Sequence, residues 1–225
     1  MDYHLDIPNF SNRCRLFPLP GLVLLPHALL PLHIFEPRYR QMTRDALDGD
    51  QLIAMVQIRP ARQDSPWTEP VPIMDVACLG RIVRHERLPD GRFNLLLLGC
   101  KRLGLVREFQ TDKDYRIAEA RIIEDVETPE PTPARRRVLI ERFRAVCERR
   151  QPLDVDLVQL LESPIHLGSL ADVIAHALGL PPMLKQGLLA EPSVAARLTV
   201  LESVLERLVE KPPSAPGFPP PFSLN

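Results

Sequence analysis

The sequence predicts an α+β protein: a β-rich N-terminal region that contains one short helix, followed by a C-terminal helical bundle. Three observations support this class. Short apolar runs bounded by proline, glycine or polar residues, typical of strands, continue to about Val126. From Pro133 onward, apolar residues recur with the helical period of about 3.6 residues. Between the two regions lies the segment TPEPTP, residues 128–133, which is typical of a stiff linker.

Three short extended runs and one clear strand are predicted before the first long loop. The N-terminal runs are short and bounded by proline or glycine, and the last segment is rich in apolar and β-branched residues. The segments are 15–19, 22–25, 29–35 and 51–59. A polar loop is expected over residues 60–70.

A helix is predicted inside this β region, in the stretch PLHIFEPRYRQM. Proline favours the first turn of a helix, and an acidic residue before it suits the positive end of the helix dipole, so Glu36-Pro37 marks a switch from strand to helix. The helix is expected from Arg38 to Leu47. Two interpretations stay open. The stretch is either a site or a core edge formed by Ile34, Phe35 and Tyr39, with Glu36 paired to a nearby arginine.

The strongest local signal is a hairpin around Leu88-Pro89-Asp90-Gly91, because Asp-Gly supplies the positive φ angles that a tight turn needs. It joins strands at 76–87 and 92–110, and a further strand is expected at 115–127. Leu95 to Leu98 are apolar at four consecutive positions. We therefore expect a central strand that is covered on both faces.

Five helices are expected after the linker, at 133–150, 154–162, 169–178, 181–189 and 193–211. Thr132 and Pro133 suit the start of the first of them. Ser169-Leu170-Ala171-Asp172 matches a capping box for the third, and Gly179 suits its C-terminal end. We predict domains at 1–128 (β) and 129–211 (helical), and a proline-rich flexible tail at 212–225.

Composition is ordinary for a soluble globular protein, with 25% charged and 45% hydrophobic residues, and the net charge of −1 gives no global attraction for nucleic acid. The stretch from Leu16 to Phe35 has no acidic or basic residue and is long enough to cross a bilayer. It contains four prolines, which a membrane-spanning helix would not tolerate together. We expect buried extended chain and no membrane association.

The four cysteines have neither CxxC spacing nor a histidine pair at zinc-site spacing. They are expected to be buried, reduced thiols of a cytoplasmic protein. Pairing about the predicted hairpin places Cys78 opposite residue 102 or 103, which argues against a disulfide with Cys100.

The stretches LFPLPGLVLLPHALLPLHIFEPRYRQM and VACLGRIVRHERLPDGRFNLLLLGCKRLGLV resemble two blocks of the amino-terminal domain of Lon proteases and, more closely, of its stand-alone bacterial relatives. The similarity covers most of residues 15–210. It implies a PUA-like fold, a strongly bent β-sheet or pseudo-barrel with a short helix, followed by a helical bundle. The sequence has no G-x-x-x-x-G-K-[ST] phosphate loop, and no room for an ATPase or protease module is expected after residue 211.

In Lon proteases this domain is implicated in recognising substrate polypeptide, so the resemblance implies a non-catalytic module or adaptor that binds unfolded or partner polypeptide without using ATP. A bent sheet with exposed apolar and arginine positions suits such a role. The candidate contact residues are Phe35, Arg38, Tyr39, Arg81 and Arg92.

The sequence also bears on two other function classes. PUA-like folds elsewhere bind RNA, and residues 135–150 carry seven arginines against two glutamates, although no aromatic residue interleaves with them for base stacking. An enzyme is not expected, because the histidines are scattered and no nucleophile or carboxylate pair has catalytic spacing. Cys100 and His85 could approach each other, but a leucine-rich strand disfavours a reactive thiolate. Ser214 lies in the predicted flexible tail, which could not hold a nucleophile. No catalytic residue, cofactor or metal site is predicted.

Overall fold

The computed structural model describes Ile7 and residues 10–60, 70–126, 133–148 and 155–210. Within these ranges, six strands and six helices form an α+β fold, which confirms the predicted class. The linker up to Thr132, nearly all of the loop at 60–70 and the tail at 212–225 fall outside the described residues. The domain boundary near residue 128 does so too and stays a prediction.

The strands lie close to their predicted positions. They are β1 (Arg13–Leu19), β2 (Leu29–Ile34), β3 (Leu52–Gln57), β4 (Val76–Arg87), β5 (Phe93–Phe109) and β6 (Ile117–Ile123). The predicted run at 22–25 forms no strand. Its apolar side chains are nevertheless buried, because Val23, Leu24 and Leu25 pack into the main core as irregular chain.

The helices are α1 (Pro37–Leu47), α2 (Pro133–Glu148), α3 (Val155–Glu162), α4 (Leu167–Ala177), α5 (Pro182–Ala190) and α6 (Val194–Glu210). As predicted, α1 begins with Pro37 after the N-cap residue Glu36. Gly179 follows α4 with a φ of 64°, a conformation that glycine adopts without strain, which confirms its predicted role.

The capping-box prediction at Ser169 is wrong. Helix α4 begins at Leu167 with His166 as its N-cap residue, so Ser169 lies within the first turn. The Ser169 hydroxyl is hydrogen-bonded to His27 Nε2 instead, at 3.0 Å, and Asp172 is held in buried ion pairs. Both side chains of the predicted capping box therefore contact residues that are distant in sequence and do not cap the helix.

The sheet closes on itself because β5 is long enough to have different partners along its length. The strand order is β2-β5-β4-β3-β1-β6, and β6 also pairs with the C-terminal half of β5. Strands β1, β3, β4, β5 and β6 therefore form a small closed barrel. The N-terminal half of β5 continues beyond it as a three-stranded sheet with β2 and β4.

The hairpin register is as predicted. Cys78 pairs with Arg102 and not with Cys100, and the four cysteines are free thiols. Burial raises the pKa of the Cys78, Cys100 and Cys14 thiols, the last to about 12. These thiols are therefore protonated at neutral pH and poorly reactive.

Two apolar cores lie on opposite sides of the barrel wall. The interior is filled by a small cluster with several alanines, which suits the narrow space inside five strands: Ala54, Ala77, Ala118 and Ala120. The larger core joins the β-sheet to the helices. It runs from Met42 of α1 and Leu97 of β5 to Leu170 of α4 and Leu201 of α6.

Candidate functional site

The three-stranded part of the sheet has one buried and one exposed face. Facing the main core are residues such as Leu30, Ile34, Leu95 and Leu97. On the opposite face, which we call the outer β-face, the side chains are half-buried or exposed. The prediction that the leucine run is covered on both faces is therefore wrong on this side: Leu96 and Leu98 are only half-buried.

Register defines the outer β-face row by row, because directly paired residues of neighbouring strands point to the same side. The first row is Leu29, Leu98 and Arg81, and the second is Pro31, Leu96 and Arg84. The third row is His33, Asn94 and Glu86. We include Phe35, which directly follows β2. In its first two rows the face thus has an apolar side on β2 and β5 and an arginine side on β4, whereas its third row is polar.

The end of the outer β-face near the hairpin is ordered by polar contacts. Asn94 Oδ1 accepts a hydrogen bond from His33 Nδ1 at 2.8 Å, and Asn94 Nδ2 donates one to Glu86 at 3.0 Å. The Arg92 guanidinium contacts the other ring nitrogen of His33 and is paired with Asp90 at 2.6 Å. Phe35 stacks near His33, with ring centroids 6.3 Å apart, and is 61% exposed. A large, exposed aromatic side chain is thereby held in a defined position.

Strand β2 forms one end of the strand order, so one of its edges has no strand beside it in the described structure. Pro31 lies in the middle of β2 and has no backbone N–H to donate. A proline on an edge strand interrupts strand addition by another chain. The outer β-face is therefore better suited to side-chain contacts than to continuous backbone pairing.

The candidate residues predicted from sequence fall into two groups. Phe35, Arg81 and Arg92 lie on or beside the outer β-face, and Arg38 lies at its border, where it pairs with Glu36 at 2.8 Å. Tyr39 is 5% exposed, packs on Phe17 and donates a hydrogen bond to the Pro18 carbonyl. The core-edge interpretation thus holds for Tyr39 and Glu36 but not for exposed Phe35, and Tyr39 offers no surface to a partner.

Sequence reasoning missed the apolar residues Leu29, Pro31, Leu96 and Leu98, together with Arg84. The signal for β2 was present: the alternation of exposed and buried residues in LLPLHI follows the period of two expected for a half-buried strand. The signal for β5 was absent, since four leucines in succession give no alternation.

The arginines of α2 are occupied by partners within the protein. Arg135 forms two hydrogen bonds to Glu202, and Arg136 donates to the backbone carbonyls of Leu161, Ser163 and Ile165. Three further ion pairs link arginines of α2 to glutamates: Arg137–Glu141, Arg142–Glu206 and Arg144–Glu162. Arg149 and Arg150 lie outside the described residues. The described part of this helix thus offers little unpaired charge to RNA phosphates.

A buried ionic cluster joins the barrel to the helices. Arg102 of β5 donates to Asp125 at 3.0 Å and to Asp172 of α4 at 2.5 Å. Arg197 of α6 donates to both oxygens of Asp125, at 2.6 and 2.8 Å. Burial raises the pKa of Asp172 to about 6, against the lowering effect of the two guanidiniums. The hydrogen bond from Arg197 and the charge of Arg102 outweigh burial and lower the pKa of Asp125.

The Ser169–His27 pair beside this cluster has the two groups of a nucleophile and a base, but its chemistry is unsuited to catalysis. Burial and the nearby charge of Arg102 lower the pKa of His27 to about 4, which makes the imidazole a weak base. The pair instead connects the loop before β2 to α4. No group of three metal-ligating side chains occurs among the residues the structure describes.

We expect His27 to make stability depend on pH. Its pKa is about 4 in the folded protein against about 6.5 for a free imidazole, so the unfolded state binds more protons as the pH falls below 6.5. This contribution to stability is complete above pH 6.5 and is lost progressively toward pH 4. Between pH 7.5 and 5, wild type should lose about 2 kcal/mol more unfolding free energy than His27→Asn in urea titrations.

Asparagine is the appropriate replacement because His27 has a φ of 64°, a conformation that asparagine tolerates. The pKa of Asp172 is shifted upward, so its effect on the pH dependence of stability is opposite to that of His27. Because Asp172 is present in both proteins, its contribution cancels when their unfolding free energies are compared. His85→Asn on the exposed end of β4 controls for the loss of one histidine. Parallel pH profiles for wild type and His27→Asn would contradict the prediction.

None of the described helices is both long and apolar enough to span a bilayer. A small closed barrel, a helical layer packed against it and an exposed apolar sheet face together define a protein module of the α+β class. The chain belongs to the family of the ATP-dependent protease La (LON) substrate-binding domain, whose family model matches residues 13–207. This confirms the resemblance drawn from the sequence.

Similar full-length proteins are Lon proteases. The chain is 27% identical to Lon protease of Azospirillum brasilense over 198 residues, which is 86% of this chain and 24% of that protein. It is 28% identical to Lon protease 2 of Myxococcus xanthus over 204 residues, 90% of this chain and 24% of that protein. The chain thus spans about a quarter of the length of these relatives.

Two solved structures share the fold. A Lon N-terminal domain protein from Xanthomonas campestris superposes with a TM-score of 0.61 at 25% identity, covering 85% of this chain and 97% of that one. The N-terminal domain of Mycobacterium avium complex Lon protease gives a TM-score of 0.61 at 16% identity and covers 86% of this chain and 98% of that one. The second similarity concerns the fold alone.

Proposed function

We propose that this chain binds polypeptide segments on its outer β-face and serves as a non-catalytic recognition or adaptor module. The observation that carries the proposal is the group of exposed apolar residues on one face of an otherwise well-packed sheet. Leu29 is 51% exposed and lies opposite half-buried Leu98, and Phe35 is 61% exposed and lies beside His33 at the other end of the face. The adjacent apolar rows Leu29–Leu98 and Pro31–Leu96 form a contiguous exposed apolar surface, which marks interaction sites in soluble proteins.

The family supports the same proposal, because its members in Lon proteases are described as substrate-binding domains. The described structure supplies a physical basis for such a role. The outer β-face is held by a barrel and a continuous core, so little conformational entropy is lost when a partner docks. His27 is too weak a base to activate the Ser169 hydroxyl, and the buried Cys78 thiol is protonated because its pKa is raised. Neither group is therefore an activated nucleophile.

Binding is tested with a fluorescein-labelled, unstructured peptide of about ten residues that alternates leucine with serine, followed by fluorescence anisotropy. We expect the double variant Leu29→Ser/Phe35→Ser to bind about tenfold more weakly than wild type, since two apolar contacts are lost. The matched control is Val106→Ser/Val200→Ser, which removes apolar residues that are 48% and 38% exposed elsewhere.

Equal affinities for wild type and the outer-face variant would contradict this assignment of the site. Circular dichroism of both double variants checks that the fold is intact. Because all four replaced side chains are exposed, each substitution should change the unfolding free energy by about 0.5 kcal/mol or less.

A further inference from the structure

We propose that the segment recognised by the outer β-face is an extended, apolar polypeptide bearing acidic side chains. This inference rests on the proposed function and adds the charge of the substrate to it. The apolar side of the face, on β2 and β5, would receive leucine-like side chains. The arginine side, on β4, would receive the carboxylates.

The charge around the outer β-face differs in sign from that of the chain as a whole. Residues 29–40 and 81–94, which build this part of the sheet and its border, contain six arginines and three acidic residues, whereas the whole chain has a net charge of −1. The arginines are Arg38, Arg40, Arg81, Arg84, Arg87 and Arg92. Arg81 and Arg84 lie in rows of the outer β-face, whereas Arg87 pairs with Phe93 in the core-facing row. A local excess of one charge sign attracts and orients partners of the opposite sign.

The acidic residues of this region are already engaged. Glu36 pairs with Arg38 at 2.8 Å, Asp90 pairs with Arg92 at 2.6 Å, and Glu86 accepts a hydrogen bond from Asn94. Arg84 is exposed, and within the described structure it forms no ion pair. It lies opposite Leu96, whose other neighbour is Pro31. An apolar contact and an unpaired guanidinium are therefore adjacent in one row.

The geometry also makes side chains the basis of selectivity. Pro31 interrupts the free edge of β2, so a partner cannot form an unbroken ladder of backbone hydrogen bonds there. Backbone pairing is nearly independent of sequence, whereas contacts across a face depend on which side chains alternate along the partner. A strand-like segment places alternate residues on the same side, at a spacing that matches the rows of the outer β-face.

The test uses three labelled peptides with the same leucines but with glutamate, glutamine or lysine at the alternate positions. We expect the glutamate peptide to bind at least about fivefold more tightly than the glutamine peptide at low salt, and the lysine peptide to bind most weakly. The advantage should shrink as salt screens the charges. Arg84→Glu should abolish it, whereas Arg121→Glu, an exposed arginine replaced on β6, should preserve it.

The outcomes separate this inference from the proposed function. If the glutamine peptide binds as tightly as the glutamate peptide, the charge preference is wrong while polypeptide binding stands. If none of the three peptides binds, both are overturned. An oligouridylate that displaces the glutamate peptide at equal concentration would show a general polyanion site and would also overturn the inference. Loss of the preference in Arg84→Glu alone, with both variants folded, supports it.

Discussion

Replacing Arg102 by methionine is expected to lower the unfolding free energy by about 3–5 kcal/mol, because it leaves a buried carboxylate without its main partner. Arg102 is 3% and Asp172 1% exposed, and their 2.5 Å contact joins β5 to α4. Without Arg102, the nearest guanidinium contact of Asp172 is Arg197 Nε at 3.9 Å. Urea unfolding followed by circular dichroism at pH 7.5 measures the loss.

Two variants make this result specific. Arg107→Met removes an exposed arginine from the same strand, where it pairs with Glu119, and should cost no more than about 1 kcal/mol. The double variant Arg102→Met/Asp172→Leu removes both charges, leaves Arg197 paired with Asp125, and should recover most of the lost stability. The idea fails if Arg102→Met is no less stable than Arg107→Met.

Replacing Gly99 by alanine is expected to cost about 3 kcal/mol, since the added methyl group would overlap the backbone carbonyl of Leu25 and contact Pro26 Cα. The backbone cannot easily move away. Gly99 N–H donates to the Ala28 carbonyl at 2.9 Å, and the Gly99 carbonyl accepts from His27 N–H at 2.8 Å. The close approach carries the chain into β2, so the outer β-face should lose affinity for the leucine–serine peptide as well.

Gly104→Ala on the same strand is the matched control. A methyl group there would meet Ile123 at 3.5 Å, an ordinary contact distance, so we expect a change within about 0.5 kcal/mol. Thermal or urea unfolding measures the stability of Gly99→Ala and Gly104→Ala under the same conditions. Equal stabilities would show that the approach of Leu25 to β5 does not constrain the fold.

The candidate site was only partly predictable. Phe35, Arg81 and Arg92 were chosen from separate segments, and strand pairing brings them to one side of the sheet. Tyr39 was chosen for the same reasons as Phe35, but a helical turn directs its ring against Phe17 in the core. Exposure depends on which layer packs above a residue, and local spacing does not contain that information.

The buried ionic cluster could not be predicted at all. Its members Arg102, Asp125, Asp172 and Arg197 are spread over almost a hundred positions and look like ordinary surface charges in the sequence. Only the packing of α4 and α6 against the barrel brings them together and excludes water. A capping-box interpretation of Asp172 was the natural local inference, and this packing overrides it.

The sequence by itself determined the features that depend on neighbours in the chain. These are the spacing of apolar residues along the strands and helices, the helix start at Pro37 and the turn at Asp90-Gly91. The hairpin register, which pairs Cys78 with Arg102, also belongs to them. The tertiary structure alone decided the closure of β5 on β6, the exposure of the outer β-face and the neutralisation of the α2 arginines. Periodicity and turn chemistry act over a few residues, whereas these three features require contacts between segments that are distant in sequence.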